Sequence, residues 1–448
     1  MNPDFLLDSA LARSLYHTFA AGLPVIDYHN HLKPADLVSD RKYDNITQLW
    51  ISADPYKHRA MRILGVEERR ITGDADDYEK FEAWYESLPR LIGNPLFDWS
   101  RMELSRVMGV ELLPFGDCKT VWDRLNEAVR ETSAKKLLES FNVEYSAPCT
   151  ALCDDLTVFA HDDALAPTLR GDDLLLPTKA LLERLRVLTG ITIRTPEDYL
   201  AAVEKRLDAF RAVGCRFSDH GLDNGFAYAV DDGRNASRFA RLAAGEELDR
   251  AERLQLSSFI LTQLASGYAR HGFTMQIHIG AQRKTSTRLR TLAGAAGGYA
   301  AVGNTSDVSS LAAFLDAVES LPAGLPQVLL FPLNPADNAV MATLSGSFSR
   351  DGVEALVSQG PAWWWCDHYE GMVQMLSTFA CHSVLSSFVG MTTDSRSLLS
   401  FVRHDYFRRV LCRWMAQMVE SGRMPDDEGL LGDTIRRICY ENAKKRLN

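Results

Sequence analysis

The sequence of 448 residues lacks several features that mark common classes of protein. It has no stretch of roughly 18 uninterrupted apolar residues, which a membrane span would need. Its first residues include Asp4 and Asp8 and do not combine a basic start with an apolar core, so we expect no secretory signal. The eight cysteines form no paired Cys-X-X-Cys knuckles, and reduced thiols are the simplest expectation. Together these absences predict a cytoplasmic protein with no membrane partner.

An excess of positive charge is also missing. The formal net charge of -10 argues against nucleic acid or an anionic membrane surface as a partner. A small anionic substrate stays compatible with this charge, because a local cluster of arginines can reverse the field inside a pocket. No glycine-rich phosphate loop follows an early strand and no internal repeat is found, so neither a dinucleotide-binding sheet nor a repeat array is expected.

Short apolar segments of strand length alternate with helical patterns along most of the chain. Amphipathic patterns predict helices, among them residues 196–212 and 250–271. The predicted strands are residues 25–26, 142–147, 163–168, 214–218, 273–279, 327–331, 361–365 and 387–394. Eight strands separated by helices predict an α/β fold, a (β/α)8 TIM-type barrel.

Residues 34–140 interrupt this alternation with a helical, charge-rich pattern and no alternating strand signal. They predict a helical insertion placed after the first strand. We therefore expect one catalytic barrel over residues 1–448 that contains this insertion.

Two histidines directly follow the first predicted strand. His29 and His31 are two positions apart, so on a strand both imidazoles point to the same side and can reach one point in space. Imidazole is a common ligand of zinc-like ions, and this pair would supply half of a metal site. Two unrelated surface histidines are the alternative interpretation.

In a parallel barrel the chemistry lies at the carboxyl ends of the strands, and two of these ends carry further ligand types. His278 follows the fifth predicted strand and Asp394 follows the eighth, so both can converge with His29 and His31 on one divalent ion. Such a nitrogen and oxygen set suits zinc and also manganese, iron or cobalt. His278 could instead bond a core group or a substrate oxygen, and Asp394 could cap a helix. His220 is either a partner for a ligand histidine or a turn residue.

Several blocks of the chain match one known family. They include residues 27–32, 59–62, 71–75, 80–84, 93–96, 214–220, 278–281, 388–397 and 438–443, and the block Gly390–Ser397 is specific to that family. The chain resembles bacterial uronate isomerases, which belong to the amidohydrolase superfamily of metal-binding barrels. The resemblance covers nearly the full chain.

This resemblance implies an enzyme that interconverts an aldose and a ketose, D-glucuronate with D-fructuronate and D-galacturonate with D-tagaturonate. By position it implies His29, His31 and Asp394 as ligands of one divalent metal ion, with zinc the first choice. It also implies a pocket for a small uronate substrate, lined by His278, Tyr56, Arg170, Arg396, Trp363 and Trp364. We further expect a homo-oligomer.

The chain departs from the usual family pattern in segments that we expect to form the pocket. Pro55 and His58 stand where the family usually has a histidine and a tryptophan, and Asp98 stands where it usually has a histidine. Lys284 begins a stretch that replaces an asparagine run. These differences leave the preferred uronate open.

Isomerisation of an α-hydroxy aldehyde requires removal of the C2 proton and return of a proton to C1 through a cis-enediol. We expect Asp394 to be the base, directly or through a bound water molecule, and Tyr56 to relay a proton between the oxygens. Arg396 would polarise O1 and O2, whereas Arg170 and Arg403 would hold the uronate carboxylate.

Two other functions remain open at this point. One is a metal-dependent hydrolase of the same superfamily acting on a small anionic substrate. That enzyme would want a carboxylated lysine after the fourth strand and a histidine on the sixth, whereas the chain offers Asp219–His220 and Asn334 there. The other is a sugar-acid binding protein that has kept the fold without the chemistry.

Overall fold

A curled parallel sheet forms the centre of the molecule, which is known from a computed structural model that describes residues 1–160 and 164–448. Seven strands pair in the order β1-β2-β3-β4-β5-β8-β9, and a separate antiparallel pair joins β6 to β7. The strands are β1 Val25–Asn30, β2 Val143–Ala151, β3 Thr168–Arg170, β4 Phe217–Leu222, β5 Thr274–Ile279, β6 Ala281–Gln282, β7 Ala301–Val302, β8 Val328–Pro332 and β9 Val357–Gln359. The α/β class predicted from the sequence is therefore confirmed.

Helices surround the sheet and fill the long connection between its first two strands. Their bounds are α1 Ala10–Leu15, α2 Pro34–Val38, α3 Ile46–Trp50, α4 Pro55–Ile63, α5 Asp77–Ser87, α6 Pro95–Met102, α7 Cys118–Arg130, α8 Ala134–Ser140, α9 Lys179–Thr189, α10 Pro196–Ala212, α11 Asn235–Ala244, α12 Arg250–His271, α13 Thr287–Ala293, α14 Val308–Glu319, α15 Asn338–Ser347, α16 Tyr369–His382, α17 Val402–Glu420, α18 Glu428–Arg436 and α19 Asn442–Lys445. Among these described helices, none has the length and apolar composition that crossing a membrane requires.

The curl of the sheet follows from contacts between strands that are not neighbours in it. Tyr28 of β1 stacks on Phe217 of β4 with ring centroids 5.5 Å apart, and Gln276 of β5 donates to the carbonyl of Tyr28 at 3.3 Å. A flat sheet would hold these strands far apart, because neighbouring strands are spaced about 4.8 Å. The inward side chains therefore meet in one enclosed core.

The free edge of β1 is covered by residues 389–395. There the amide of Asp394 donates a hydrogen bond to the carbonyl of His29 at 3.0 Å. The amide of His31 in turn donates to the carbonyl of Ser395 at 2.7 Å. These bonds place the end of the last predicted strand directly beside the first strand.

Helix boundaries at two positions agree with the sequence prediction because their caps are encoded locally. Thr195 and Asp198 form a capping box before α10, and Asp249 and Glu252 form another before α12. In such a box each side chain accepts from the backbone of the other residue, which satisfies amides that the helix leaves unpaired.

The last two predicted strands differ from the structure. The segment 361–365 contains no strand, and the seventh strand of the sheet is β9, which ends at Gln359. Trp364 has φ +51°, which an extended strand does not allow. Residues 387–394 also form no regular strand, since Gly390 has φ +79° and Asp394 has φ +47°.

The third predicted strand, 163–168, begins later than expected. Asp163 lies outside the described residues. Leu165 makes only an isolated bridge to Ser146, and β3 begins at Thr168. Pro167 has no amide hydrogen to donate to a ladder, which limits pairing before that point.

Helix α4 is held in place by a buried polar cluster. Asp54 caps the helix and also pairs with Lys57, whose ammonium lies 2.6 Å from its carboxylate. Glu103 lies 3.4 Å from the same ammonium, and the side chain of Lys57 is 1 % exposed. Because a buried charge is costly unless paired, this cluster fixes α4 in one position.

His58, next to this cluster, should make stability depend on pH. It is buried with its Nε2 unpartnered, and burial lowers its pKa from 6.5 to about 4. The unfolded chain then binds more protons between these values, so the stability present above pH 6.5 is lost as the pH falls toward 4. As the pH falls from about 7.5 to about 5, the titration of His58 alone lowers the free energy of unfolding by about 2 kcal/mol.

We therefore expect His58→Gln to reduce the loss of unfolding free energy across this interval by about 2 kcal/mol, measured by urea unfolding at both pH values. His382→Gln, which changes an exposed histidine, is the control and should keep the wild-type dependence. The same pH dependence in all three proteins would contradict the assignment to His58.

Candidate active site

Three residues at the carboxyl end of β1 and beside it form the centre of the site. Oδ1 of Asp394 lies 3.1 Å from Nε2 of His29 and 3.1 Å from Nε2 of His31. Burial would raise the pKa of Asp394, but hydrogen bonds from the two imidazoles hold it well below its ordinary value. Asp394 is thus a carboxylate between two imidazole nitrogens, a donor set that suits a divalent cation. It does not cap a helix, since the next helical turn begins at Leu398.

A fully buried carboxylate two residues before His29 holds this centre together. Asp27 accepts hydrogen bonds from the side chain of Asn30 at 2.8 Å, from the amide of Thr393 at 2.6 Å and from the hydroxyl of Thr392 at 3.0 Å. Nε2 of His404 on α17 lies 3.1 Å away. Burial would raise the pKa of Asp27, yet these hydrogen bonds lower it, so the carboxylate is ionised. Asp27 therefore joins β1 to the segment that carries Asp394.

His278 is oriented toward the same centre by a carboxylate. Its Nδ1 lies 2.7 Å from Oδ1 of Asp219 on the adjacent strand β4. Burial lowers the pKa of His278, so the ring is neutral and donates its Nδ1 hydrogen to Asp219. Its Nε2 is buried and has no hydrogen-bond partner among the described residues. A histidine held by a carboxylate with its other nitrogen free is the usual arrangement of a metal-binding or substrate-binding imidazole.

Cys149, near the end of β2, lies on the other side of His29. Its Sγ is 3.5 Å from Nδ1 of His29 and 3.8 Å from Oδ2 of Asp219. Burial would raise the pKa of this thiol, but His29 and His31 lower it. Among the described residues, two groups of three side chains have potential metal-ligand atoms that all lie within 4.8 Å of one another. They are His29–His31–Cys149 and His29–Asp219–His278.

These donors open into a cavity of about 480 Å³ whose walls carry three guanidinium groups. Arg170 pairs with Asp172 at 2.9 Å and Arg283 pairs with Asp223 at 2.7 Å. Arg396 has no hydrogen bond or ion pair to any residue in the described part of the chain. A volume of this size suits a small ligand, and the free guanidinium offers donors for ligand oxygens.

An aromatic wall encloses one side of the cavity. The ring of Trp363 lies edge-on to His278 with centroids 4.5 Å apart, and its Nε1 donates to the carbonyl of Phe331 at 3.0 Å. Trp364 packs on Trp363 and lies under the guanidinium of Arg283, 5.4 Å from its ring centre. Both tryptophans line the cavity, where they replace water with apolar surface.

Tyr56 reaches the cavity from the first turn of α4. Its hydroxyl lies 3.5 Å from Oδ2 of Asp367, which also accepts from Arg403. Burial, followed by Asp367, raises the pKa of Tyr56 well above 10, so the hydroxyl stays protonated at neutral pH. Burial raises the pKa of Asp367 to about 7 although Arg403 acts in the opposite direction. Tyr56 is thus a protonated hydroxyl that can donate, and it lies beside the buried ion pair of Asp367 and Arg403.

The structure brings nine of the ten sequence-predicted site residues to this cavity and leaves one behind it. Arg403 is 2 % exposed, pairs with Asp367 and donates to the carbonyl of Thr393. Its guanidinium makes these two contacts in the interior and is not part of the cavity wall. The nine that line the cavity are His29, His31, Tyr56, Arg170, His278, Trp363, Trp364, Asp394 and Arg396.

Comparisons with known proteins agree over the whole chain. The family model described as glucuronate isomerase matches residues 1–447. A uronate isomerase from Salmonella paratyphi B is 38% identical over 462 residues, covering 99% of this chain and 98% of that protein. The chain belongs to the uronate isomerase family.

Solved structures of the family share the fold. A uronate isomerase from Thermotoga maritima superposes with a TM-score of 0.93 and 27% identity, covering 100% of this chain and 99% of that one. A glucuronate isomerase from Caulobacter crescentus gives a TM-score of 0.90 at 24% identity, over 100% of this chain and 96% of that one, and supports the fold. The chain is therefore an enzyme of this isomerase family, and isomerisation is favoured over hydrolysis.

Residues that sequence reasoning missed stand mainly on neighbouring strands or on loops. The sequence assigned no role to Cys149, Asp219, Arg283, Asp367 and His404. One signal was available for Asp219, since alternation along a strand places it opposite in direction to His220. His220 in fact faces outward, with its Nε2 2.9 Å from the hydroxyl of Tyr268 on α12, so it neither supports a ligand nor lies in a turn.

The positions at which this chain departs from the usual uronate isomerase pattern are mostly away from the cavity. Pro55 lines it, as expected. His58 lies on the buried face of α4, Asp98 lies within α6, and Lys284 follows Arg283 without being part of the cavity wall. Our expectation that all of these residues form pocket loops was therefore wrong, because Pro55, His58 and Asp98 lie within helices and only Pro55 lines the cavity.

We expect Asp27→Asn to lower the free energy of unfolding by about 3 kcal/mol, because it removes a buried charge that several donors require. Urea unfolding at neutral pH measures the change. Asp123→Asn, which breaks an exposed ion pair with Lys119, is the matched control and should cost less than about 1 kcal/mol. Equal effects of the two substitutions would show that the hydrogen bonds of Asp27 stabilise the fold no more than an exposed ion pair does.

Proposed function

We propose that this enzyme interconverts D-glucuronate with D-fructuronate and D-galacturonate with D-tagaturonate by moving a proton between C2 and C1 through a cis-enediol. The observation that carries the proposal is the position of Asp394. Its Oδ1 is 3.1 Å from both imidazoles, and it faces a cavity with three arginines. Such a cavity offers an anionic sugar acid a base, proton donors and positive charge together. The family assignment supports the reaction type.

We assign His29, His31 and Asp394 as the ligands of one divalent ion, with zinc as the proposed metal and manganese, iron or cobalt as alternatives. The residues fit such an ion, since they combine two imidazoles with a carboxylate and since the ring of His278, whose Nε2 is unpartnered among the described residues, lies 4.5 Å from that of His29. When bound, the ion supplies positive charge that orients and polarises substrate oxygens. His278 bonds either this ion or a substrate hydroxyl.

Asp394 acts as the base in this proposal. Its carboxylate takes the proton from C2, the electrons of the broken bond form the C1–C2 double bond of the enediol, and the same proton returns to C1. Tyr56 donates its hydroxyl proton to O1 and receives the proton of O2, so the net transfer balances. Arg396 supports both oxygens, because its guanidinium has no carboxylate partner among the described residues.

Arg170 holds the uronate carboxylate in this arrangement, since its fork-shaped guanidinium fits a planar anion. Trp363 and Trp364 exclude water from the enediol. We place Arg403 in a supporting role, because it orders Asp367 behind Tyr56 and bonds the carbonyl next to Asp394.

The metal-dependent hydrolase is the weaker candidate. The binuclear centre expected for it needs a carboxylated lysine, and no lysine lines the cavity in residues 1–160 and 164–448. A non-catalytic binding protein is disfavoured by the family assignment.

For the chain as a whole we propose one catalytic (β/α)8 barrel over residues 1–448, in which residues 389–395 take the place of the eighth strand and residues 34–140 are a helical insertion. The parallel sheet and the bonds between this segment and β1 support it. We also propose a cytoplasmic location, supported by eight cysteines that are all free thiols, and a homo-oligomer.

Incubation of the purified enzyme with each uronate in turn tests the proposal. We expect both ketoses to form, and we expect removal of the metal by a chelator to abolish their formation. Asp394→Asn should lower kcat at least about 100-fold, since it removes the base. The control Asp154→Asn changes an exposed carboxylate after β2 and should match the wild type. Near-normal activity of Asp394→Asn would show that another group is the base.

Arg170→Met tests recognition of the carboxylate. We expect kcat/KM for D-glucuronate to fall about 10- to 100-fold, because a charge-assisted contact is lost. The value for D-glucose, which lacks the carboxylate, should change little. Arg186→Met, which breaks an exposed ion pair on α9, is the control. If the preference for the uronate over the neutral sugar did not change, Arg283 or Arg396 would be the residue that binds the uronate carboxylate.

A further inference from the structure

Four side chains from four strands of the sheet make successive polar contacts beside the proposed metal centre. Nδ1 of His29 lies 3.5 Å from Sγ of Cys149, and the same sulfur lies 3.8 Å from Oδ2 of Asp219. The other carboxylate oxygen of Asp219, Oδ1, lies 2.7 Å from Nδ1 of His278. The contacts therefore run from an imidazole on β1 through a thiol on β2 and a carboxylate on β4 to an imidazole on β5.

The positions of the hydrogens in this series follow from what each group can donate. Asp219 is ionised, because His278 lowers its pKa although burial would raise it, and a carboxylate can only accept. The thiol of Cys149 therefore donates its single hydrogen to Asp219, and its sulfur is left to accept. The atom that faces the sulfur is Nδ1 of His29, so the one hydrogen of a neutral His29 ring is placed on that nitrogen.

This placement leaves Nε2 as the nitrogen with a free electron pair in both rings. Nε2 of His29 is the atom that lies 3.1 Å from Asp394, which is the metal-ligand side of the ring. Nε2 of His278 is buried and has no hydrogen-bond partner among the described residues. A ligand histidine usually donates its other ring hydrogen to a carboxylate, a backbone carbonyl or water, whereas the atom at this position in His29 is a sulfur.

We propose that Cys149 is a positioning residue, which accepts the Nδ1 hydrogen of His29, donates to Asp219 and does not itself bond the metal ion. It thereby fixes which nitrogen His29 offers to the ion, and through Asp219 it supports the same choice in His278. The inference rests on the proposed function, because it concerns how the ion of that function is held. A ring nitrogen of His31 also lies within 4.8 Å of the sulfur, so the thiol stands beside both proposed imidazole ligands.

Hydrogen bonding and simple packing by this thiol predict opposite orders for two variants. Cys149→Val keeps an apolar side chain of similar size but can neither accept nor donate, whereas Cys149→Ser is smaller and can do both. If Cys149 only filled space, the valine variant would bind metal better than the serine variant. If Cys149 positions His29, the serine variant binds metal better than the valine variant.

The purified full-length enzyme is stripped of metal, and its binding of Zn²⁺ is then measured in competition with a chromophoric chelator. We expect Cys149→Val to bind Zn²⁺ about 10- to 100-fold more weakly than the wild type, because a ligand histidine loses its hydrogen-bond partner. Cys149→Ser should lie between the two. Cys412→Val, the same substitution at a buried thiol of α17, is the matched control and should bind Zn²⁺ as the wild type does.

Two spectra of the wild type test the assignment without any substitution, so the proposal stays testable if a Cys149 variant fails to fold. With Zn²⁺ bound and the histidines labelled with ¹⁵N, nuclear magnetic resonance should place the ring hydrogens of His29 and His278 on Nδ1. With Co²⁺ in place of Zn²⁺, we expect no thiolate-to-cobalt charge-transfer band in the ultraviolet, because the sulfur does not bond the ion.

The outcomes separate this role from the proposed function. Equal or tighter Zn²⁺ binding by Cys149→Val than by Cys149→Ser, a hydrogen on Nε2 of His29, or a thiolate-to-cobalt band would each overturn the role of Cys149 and leave the isomerisation standing. If the variants follow the expected order but the wild type forms no ketose from either uronate, the proposed reaction fails and the role of Cys149 stands. A wild type that binds no Zn²⁺ would overturn the metal site and this role together.

Discussion

The buried carboxylate of Asp27 joins the beginning of the sheet to the last extended segment of the chain. A charge in the interior is costly unless several hydrogen bonds compensate for it. Here the compensating donors come from Asn30 on β1, from Thr392 and Thr393 next to Asp394, and His404 on α17 contacts the same carboxylate. Because these groups satisfy one carboxylate, residues 365 positions apart in sequence, His29 and Asp394, are held within bonding distance.

Most of the charged side chains that line the cavity are also paired with groups of opposite charge. The protein is negative overall, yet three arginines line the site. Arg170 and Arg283 each pair with an aspartate, which limits the repulsion between the two guanidinium groups. The guanidinium of Arg396 has no such partner among the described residues. Four aspartates line the same cavity, so it is the guanidinium of Arg396, without a carboxylate partner among the described residues, that is available to a small anion.

Sheet and helices contribute different kinds of group to the site. The strands and the segment beside β1 present imidazoles and carboxylates on a rigid backbone, as a metal centre requires. Helix α4, from the long helical connection, presents Tyr56, and the buried cluster of Asp54, Lys57 and Glu103 holds that helix in place. The helical region is thus part of the cavity wall.

Local patterns in the sequence were sufficient for much of the fold. Apolar runs located most strands, and the capping boxes before α10 and α12 fixed the starts of these helices. They were insufficient where the backbone leaves the regular regions, as at Trp364 and Asp394 with positive φ, because an apolar or aromatic run does not report φ. The run of tryptophans was accordingly mistaken for a strand.

The sequence by itself made His29, His31 and Asp394 candidate metal ligands, since the two histidines are two positions apart after an apolar run and the block around Asp394 is specific to one family. Only the tertiary structure decided that Cys149 and Asp219 stand beside them, that Arg403 is occupied by Asp367, and that His220 faces away. The physical reason is that residue periodicity reports the direction of a side chain on its own element. Distances between elements depend on strand register and on buried polar contacts such as those of Asp27, which no local pattern contains.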